Sequence, residues 1–238
     1  MSDTRRLPAA AMFVLLLATF TRFHLLEAQS FWNDEGNSAR LSERSISAIL
    51  EGTASDIHPP LYYLALRGWR ELLGETEFGL RSLSAFAGVL VVAVVMAIGR
   101  RTTDRRPQAT DDNLQVTSAF RDLSSVVRGP SAAIAGLLAA LSPVLVYYSQ
   151  ETRMYALLAL LATLSAWVLL VWLGGVRRPL LWMIAYTLLL AAGLYTHYFF
   201  PAVVAAQGAV VVWREWGKGR RGEGEKGGRG ERERGSGS

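Results

Sequence analysis

At 238 residues, with 51% apolar and only 19% charged side chains, the chain carries too little polar surface for an ordinary aqueous globule. The absence of cysteine excludes disulfide staples and thiolate metal sites, and it leaves the compartment open. A net charge of +5 is not interleaved with any nucleic-acid-reading module, so nucleic acid is not an expected partner.

The first apolar run, Pro8 to Glu27, follows Arg5 and Arg6. It suits either a signal peptide, with "AQS" as a faint cleavage match, or a first membrane span. Arg22 and His24 near its far end favour an uncleaved span, because a long side chain there can snorkel to headgroups. A long first loop then runs over about 28–78. Leu41, Ile46, Ile49 and Leu50 recur at helical spacing and predict a helix from Asn37 to Leu50, stopped by Gly52. After "HPP", the stripe Leu61, Tyr62, Leu64, Ala65, Leu66, Trp69, Leu72 and Leu73 opposes Arg67, Arg70 and Glu71 and predicts a second short helix lying in the interface.

Three charge-free runs follow, Ser82 to Gly99, Gly129 to Gln150 and Met154 to Val176. Each approaches the roughly 20 residues that a bilayer-crossing helix needs. The loop between the first two, about 100–130, is polar, mixed in charge and expected to be flexible. The last run, Pro179 to Trp213, would overshoot a hydrocarbon core of about 30 Å as one helix, which predicts two short spans turning at "THYFFP". Residues 214–238 are glycine and charge, too poor in apolar surface to fold.

The expected fold is therefore an all-α polytopic membrane protein of about six transmembrane helices, with a membrane core over 1–213 and a disordered tail over 214–238. Arg5, Arg6, Arg100, Arg101, Arg105, Arg106, Arg177, Arg178 and the tail from Arg214 fall on one side of such a layout. That side is expected to be cytoplasmic. The opposite face of a plasma membrane then receives the unusual polar residues: Asp34 and Glu35, His58, Glu151 and Arg153, and His197.

Four segments, "FWNDEGNSAR", "HPPLYYLALRGWRELLGETEFGLRSLSAFAGVL", "LSPVLVYYSQETRMYAL" and "GLYTHYFF", resemble successive signatures of the family 39 glycosyltransferases, which belong with the protein O-mannosyltransferases and lipid A aminoarabinose transferases. The resemblance covers roughly residues 8 to 213, and its specificity lies in the order and spacing of the four motifs. It implies a C-type membrane glycosyltransferase core. It further implies transfer of a sugar from a polyprenyl-phosphate carrier to a protein or glycolipid acceptor outside the membrane, with membrane lipids as partners. The loop over 102–129 is longer than the family pattern. The chain also stops where the family continues through further spans, so it resembles an amino-terminal half. A separate carboxy-terminal half is then a further expected partner, and an inactive remnant stays open.

Transfer to a hydroxyl needs a base for the acceptor proton, and Asp34 is the candidate, with Glu35 as its acidic partner; a single base suits one inverting displacement. Both residues equally suit a helix N-cap and its first-turn acid. His58 is either a turn residue or a donor to the leaving phosphate, and Tyr62 either an interface anchor or a substrate contact. Glu151 and Arg153 read as a surface ion pair or as an acceptor-orienting carboxylate and a phosphate-binding guanidinium. His197 reads as an interface histidine or a phosphate ligand. No motif signals a cofactor. Asp34, Glu35, Glu151 and His197 could assemble an oxygen- and nitrogen-ligand site for a divalent metal ion, but no spacing signature supports one. The competing class is a multi-span solute- or cation-binding or transport-related protein. Against it, the sequence shows no evident mid-span charge or broken helix pair.

Overall fold

The computed structural model describes residues 9–54, 58–104 and 131–216. Among these the chain is helical and contains no strand. The helices are α1 (Ala9–Phe23), α2 (Asn33–Ser42), α3 (Ile46–Ala54), α4 (Leu61–Leu73), α5 (Glu77–Asp104), α6 (Ser131–Leu141), α7 (Pro143–Ser149), α8 (Tyr155–Leu173), α9 (Pro179–Leu194) and α10 (200–216). The first nine belong to one compact unit ending at Tyr198, and α10 to a second beginning at Phe199. Most of the loop over 100–130 and nearly all of the tail lie outside the described residues.

By length and composition, α5 and α8 can cross a membrane, and α6 with α7 makes a third candidate bent by 59°. Helices α1 and α9 are apolar but shorter, at 15 and 16 residues. An all-helical chain with two or three helices long and apolar enough to cross a membrane is what the described residues establish. The break predicted inside the last apolar run is present, since α9 ends at Leu194 and helix resumes at 200.

Helix α5 is the centre of the first unit, packing on α1, α4, α6, α7 and α8. Its contact with α1 and α6 is built from Ala11, Val14, Ala18, Val92, Met96, Ala139 and Ala140. Small residues let apolar helices approach closely where lipid supplies no hydrophobic drive for association. On the other side, Ala87 and Val91 of α5 meet Ala156 and Leu160 of α8. A third cluster, with Ile49, Tyr62, Tyr63, Leu66, Leu80 and Met154, seats α3 and α4 on the start of α5.

The first loop forms three helices where the periodicity suggested two. The expected Asn37–Leu50 helix is broken at Glu43–Ser45, and Gly52 lies inside α3. Ser45 accounts for the break: its hydroxyl accepts from the Ala48 amide at 3.3 Å and its carbonyl from the Ile49 amide at 2.9 Å, starting a new helix. The guanidinium of Arg67 on α4 donates to the Arg44 carbonyl and holds the corner. The stripe after "HPP" forms α4 as expected.

Arg22 does not snorkel. It is fully buried, donating to Ala18 O on its own helix and to Ala139 O and Ala140 O of α6, each at 3.2 Å. The cause lies at Ser142-Pro143, where α6 ends and α7 begins. Proline has no amide hydrogen to reach the carbonyl four residues back, so the Ala139 carbonyl loses its helical partner and Arg22 takes the place. A positive charge at a helix C-terminus also opposes the helix dipole favourably. The chain thus has both features that its sequence seemed to lack, a buried charge on an apolar helix and a broken helix pair.

Gly88 makes room for this junction, since a Cβ there would lie 2.0 Å from Ser149 Oγ and 2.7 Å from Arg22 Nε. Gly88→Ala is therefore expected to lower stability by about 1–3 kcal/mol through overpacking. Detergent-solubilised protein should melt earlier by differential scanning fluorimetry, whereas Gly68→Ala, which meets nothing within 4 Å, should not lower the melting temperature.

Candidate functional site

The polar residues of the first loop and of the turn over 150–154 meet at the end of α5 that carries Arg81. Successive residues on a helix point about 100° apart, so Asp34 and Glu35 cannot serve one pocket equally. They face different surroundings.

Glu35 is 1% exposed and bound on both oxygens. Arg81 donates from Nε to Oε1 at 2.8 Å and from Nη2 to Oε2 at 2.6 Å, and the Thr152 amide donates to Oε1 at 2.8 Å. The same guanidinium reaches Leu26 O at 2.9 Å and Gln29 O at 2.7 Å in the link between α1 and α2. One arginine thus ties that link, α2 and α5 together, and Glu35 adds the turn after α7. A bidentate guanidinium–carboxylate pair with its remaining donors engaged is the geometry in which a buried pair repays its desolvation.

Asp34 lies in the first turn of α2, and the N-cap position is Trp32, so neither acid is the cap. The Asp34 carboxylate is 40% exposed and 3.1 Å from Nη1 of Arg153. Arg153 lies over the rings of Trp32 and Tyr155, at 5.4 and 4.8 Å to the centroids, and donates to the Tyr155 hydroxyl at 3.2 Å. Its ionic partner is therefore Asp34 and not Glu151, which is buried at 7% exposure. The turn closed by the Arg153 amide on Glu151 O, at 2.9 Å, sends the two side chains apart.

Asp34 and Arg153 line a cleft of about 210 Å³ with Asn37, His58 and Tyr63. The His58 ring stands 6.3 Å from that of His197, which in turn lies 5.7 Å from Tyr155. His197 is held below the usual imidazole range, first by burial and then by the neighbouring His58 and Arg153. Tyr62 is not in the cleft. It is 1% exposed in the core, burial pushes its phenol well above the usual range, and its neighbour Tyr63 lines the cleft instead.

A second, larger cavity of about 680 Å³ lies on the Glu35 side, lined by Trp32, Glu35, Arg81, Tyr147, Gln150 and Glu151 among others. Trp32 is common to both settings, since it lines this cavity and stacks on Arg153 of the other. Asp34, Glu35, Glu151 and His197 do not form one donor set: Asp34 and Glu35 line different cavities and Glu35 is already saturated. Among the described residues no three His, Asp or Glu side chains converge on a point that could hold a metal ion.

Sequence reasoning did not single out Arg81, Trp32, Tyr155 or Asn37. Arg81 had a signal, a lone arginine at the head of an apolar run, yet its partner Glu35 is 46 residues away and nothing in the spacing joins them. No family model, no curated protein and no solved structure matches the chain.

Two outcomes follow for stability. Arg81→Met, which leaves Glu35 buried without its partner, is expected to cost about 3–5 kcal/mol, and Arg81→Met combined with Glu35→Leu to recover much of that, as read by denaturant unfolding in detergent. For His197 the unfolded imidazole, near pH 6.5, binds a proton that the folded one resists. Its contribution is thus unchanged above that value and turns unfavourable as the pH falls through it. Melting temperature should drop more steeply between pH 7.5 and 5.5 in the wild type than in His197→Gln.

Proposed function

We propose that the chain is a multi-pass membrane glycosyltransferase that moves a sugar from a polyprenyl-phosphate donor to an acceptor hydroxyl at the outer face. In this reading α1, α5, the α6–α7 pair, α8, α9 and α10 are six spans with both ends of the chain inside, following the distribution of arginines. The loops bearing Asp34, His58, Arg153 and His197 then lie outside, where a lipid-linked phosphate would sit at the membrane surface. The resemblance to family 39 glycosyltransferases supplies the reaction class, and one observation carries the site: the solvent-reachable Asp34–Arg153 pair in a cleft shared with His58.

The chemistry asks little of that cleft. The acceptor oxygen attacks the anomeric carbon as the bond from that carbon to the phosphate oxygen breaks, so the configuration inverts. The acceptor proton passes to Asp34, and polyprenyl phosphate departs with the bonding pair. A guanidinium matches phosphate oxygens in a fork, which suits Arg153 to hold the leaving group, with the imidazole N–H of His58 as a second donor. Asp34 is paired with Arg153. A donor phosphate arriving at Arg153 would displace that carboxylate and release it as a base, so donor binding and base activation are one event. Glu35, locked to Arg81, positions the helix start and takes no proton.

The bent α6–α7 pair and buried Arg22 favour a second reading, a multi-span solute-binding or transport-related protein, because broken helices and buried charges line transport pathways. The two readings part at Asp34. Asp34→Asn should retain membrane insertion and donor binding and lose release of polyprenyl phosphate by about 10²-fold or more. Near-normal release by that variant would remove the base from the mechanism, and no release by the wild type in lipid would favour the second reading. Reporter fusions at Gly52 and Asp112 are expected outside and inside respectively, read by protease protection of inverted vesicles.

A further inference from the structure

The cavity of about 680 Å³ on the Glu35 side has no part in the transfer chemistry above. Three observations define what it could hold. The first is charge. Two carboxylates, Glu35 and Glu151, face one guanidinium, Arg81, which spends its hydrogen bonds on Glu35 and on backbone carbonyls and reaches Glu151 only through space. Arg153, though two residues from Glu151, is turned into the other cleft beside Asp34. Of the remaining lining groups, Gln150 already donates to Thr21 O and His24 O at 3.1 Å. The wall thus carries two carboxylates against one guanidinium.

The second observation is Glu151 itself. It is 7% exposed; the Tyr147 hydroxyl hydrogen-bonds its carboxylate, and its Oε2 has no hydrogen-bond partner. A buried carboxylate in that condition is costly until a donor or a positive charge arrives. The third is the aromatic wall. Trp32 and Tyr147 line the cavity and are 44% and 57% exposed, and ring faces attract desolvated cations.

We propose that this cavity binds a primary ammonium group, neutralised by Glu151 and flanked by the rings of Trp32 and Tyr147. An ammonium brings three donors to a site rich in acceptors. A divalent metal ion is the poorer match, because magnesium and calcium take six or more oxygen ligands and no third His, Asp or Glu joins the pair among the described residues. The site stands on the cavity alone and does not rest on glycosyl transfer, so binding tests it whatever the outcome for Asp34.

The probe is ethanolamine, with ethylene glycol as its uncharged counterpart, observed by saturation-transfer difference NMR on the whole chain in phosphatidylcholine nanodiscs. Saturation transfer to ethanolamine should exceed that to the diol by about fivefold or more and fall by a similar factor in the near-isosteric Glu151→Gln, because the bond lost is charge-assisted. Glu71→Gln, a surface carboxylate that is 64% exposed, should leave it unchanged. Trp32→Leu, which keeps the carboxylate and removes a ring, should weaken it by about threefold. Equal transfer to the diol, undiminished transfer in Glu151→Gln, or displacement by magnesium but not by sodium at equal ionic strength would each overturn the proposal. Repeating the measurement in phosphatidylethanolamine nanodiscs separates two sources of the amine. A lowered ethanolamine signal there supports the site and assigns it to a lipid headgroup, and an unchanged signal supports it as a site for a free amine.

Discussion

The buried pair between Glu35 and Arg81 is the constraint on which the polar end of this molecule depends. It joins the link from α1 to α2, the start of α2 and the turn after α7 at one buried point. Arg81 satisfies two carbonyls of that link at under 3 Å while binding Glu35, and Glu35 passes the connection on to the Thr152 amide. A guanidinium is the side chain with enough donors in a fixed fork to do this. With α2 clamped on its Glu35 side, Asp34 is turned by about 100° to the other side and meets Arg153. The rigid acid thereby sets the direction of the reachable one.

A comparable economy operates deeper in the bundle. Breaking a helix inside an apolar environment strands carbonyl groups that water cannot reach, and each stranded group is costly. Here the break at Ser142-Pro143 is closed by Arg22 from α1, while Gly88 on α5 leaves the space that the arginine and Ser149 need. Four helices, α1, α5, α6 and α7, are thus committed to one junction. The bend in turn delivers Tyr147, Gln150 and Glu151 to the cavity wall and Arg153 to the cleft, so an apolar-core feature decides where polar chemistry can occur.

The two cavities sort by charge. The smaller holds a matched pair, Asp34 and Arg153, that an incoming anion can separate. The larger holds an excess carboxylate, Glu151, that an incoming cation would relieve. Trp32 stands against both, stacked on Arg153 and lining the larger cavity. An anionic and a cationic group could therefore be held on either side of one aromatic wall.

Much of the helical layout was legible in the order of residues. Charge-free runs of about 20 residues suit helices, which satisfy their own backbone groups within one segment, and the stripe after "HPP" and the break before residue 200 follow from local periodicity and turn chemistry. The placing of Asp34, Glu35, His58, Arg153 and His197 at loop positions was also local information. Which of them meet was not. Glu35 finds Arg81 across 46 residues, Asp34 finds Arg153 instead of leaving it to Glu151, Tyr62 turns into the core while Tyr63 lines the cleft, and Arg22 is buried by a helix break more than a hundred positions away. Hydrophobic periodicity and turn residues are properties of neighbours along the chain, so sequence alone determines them. Charge pairing and cavity walls are properties of neighbours in space, and only the packing of α1, α5 and the broken helix decided those.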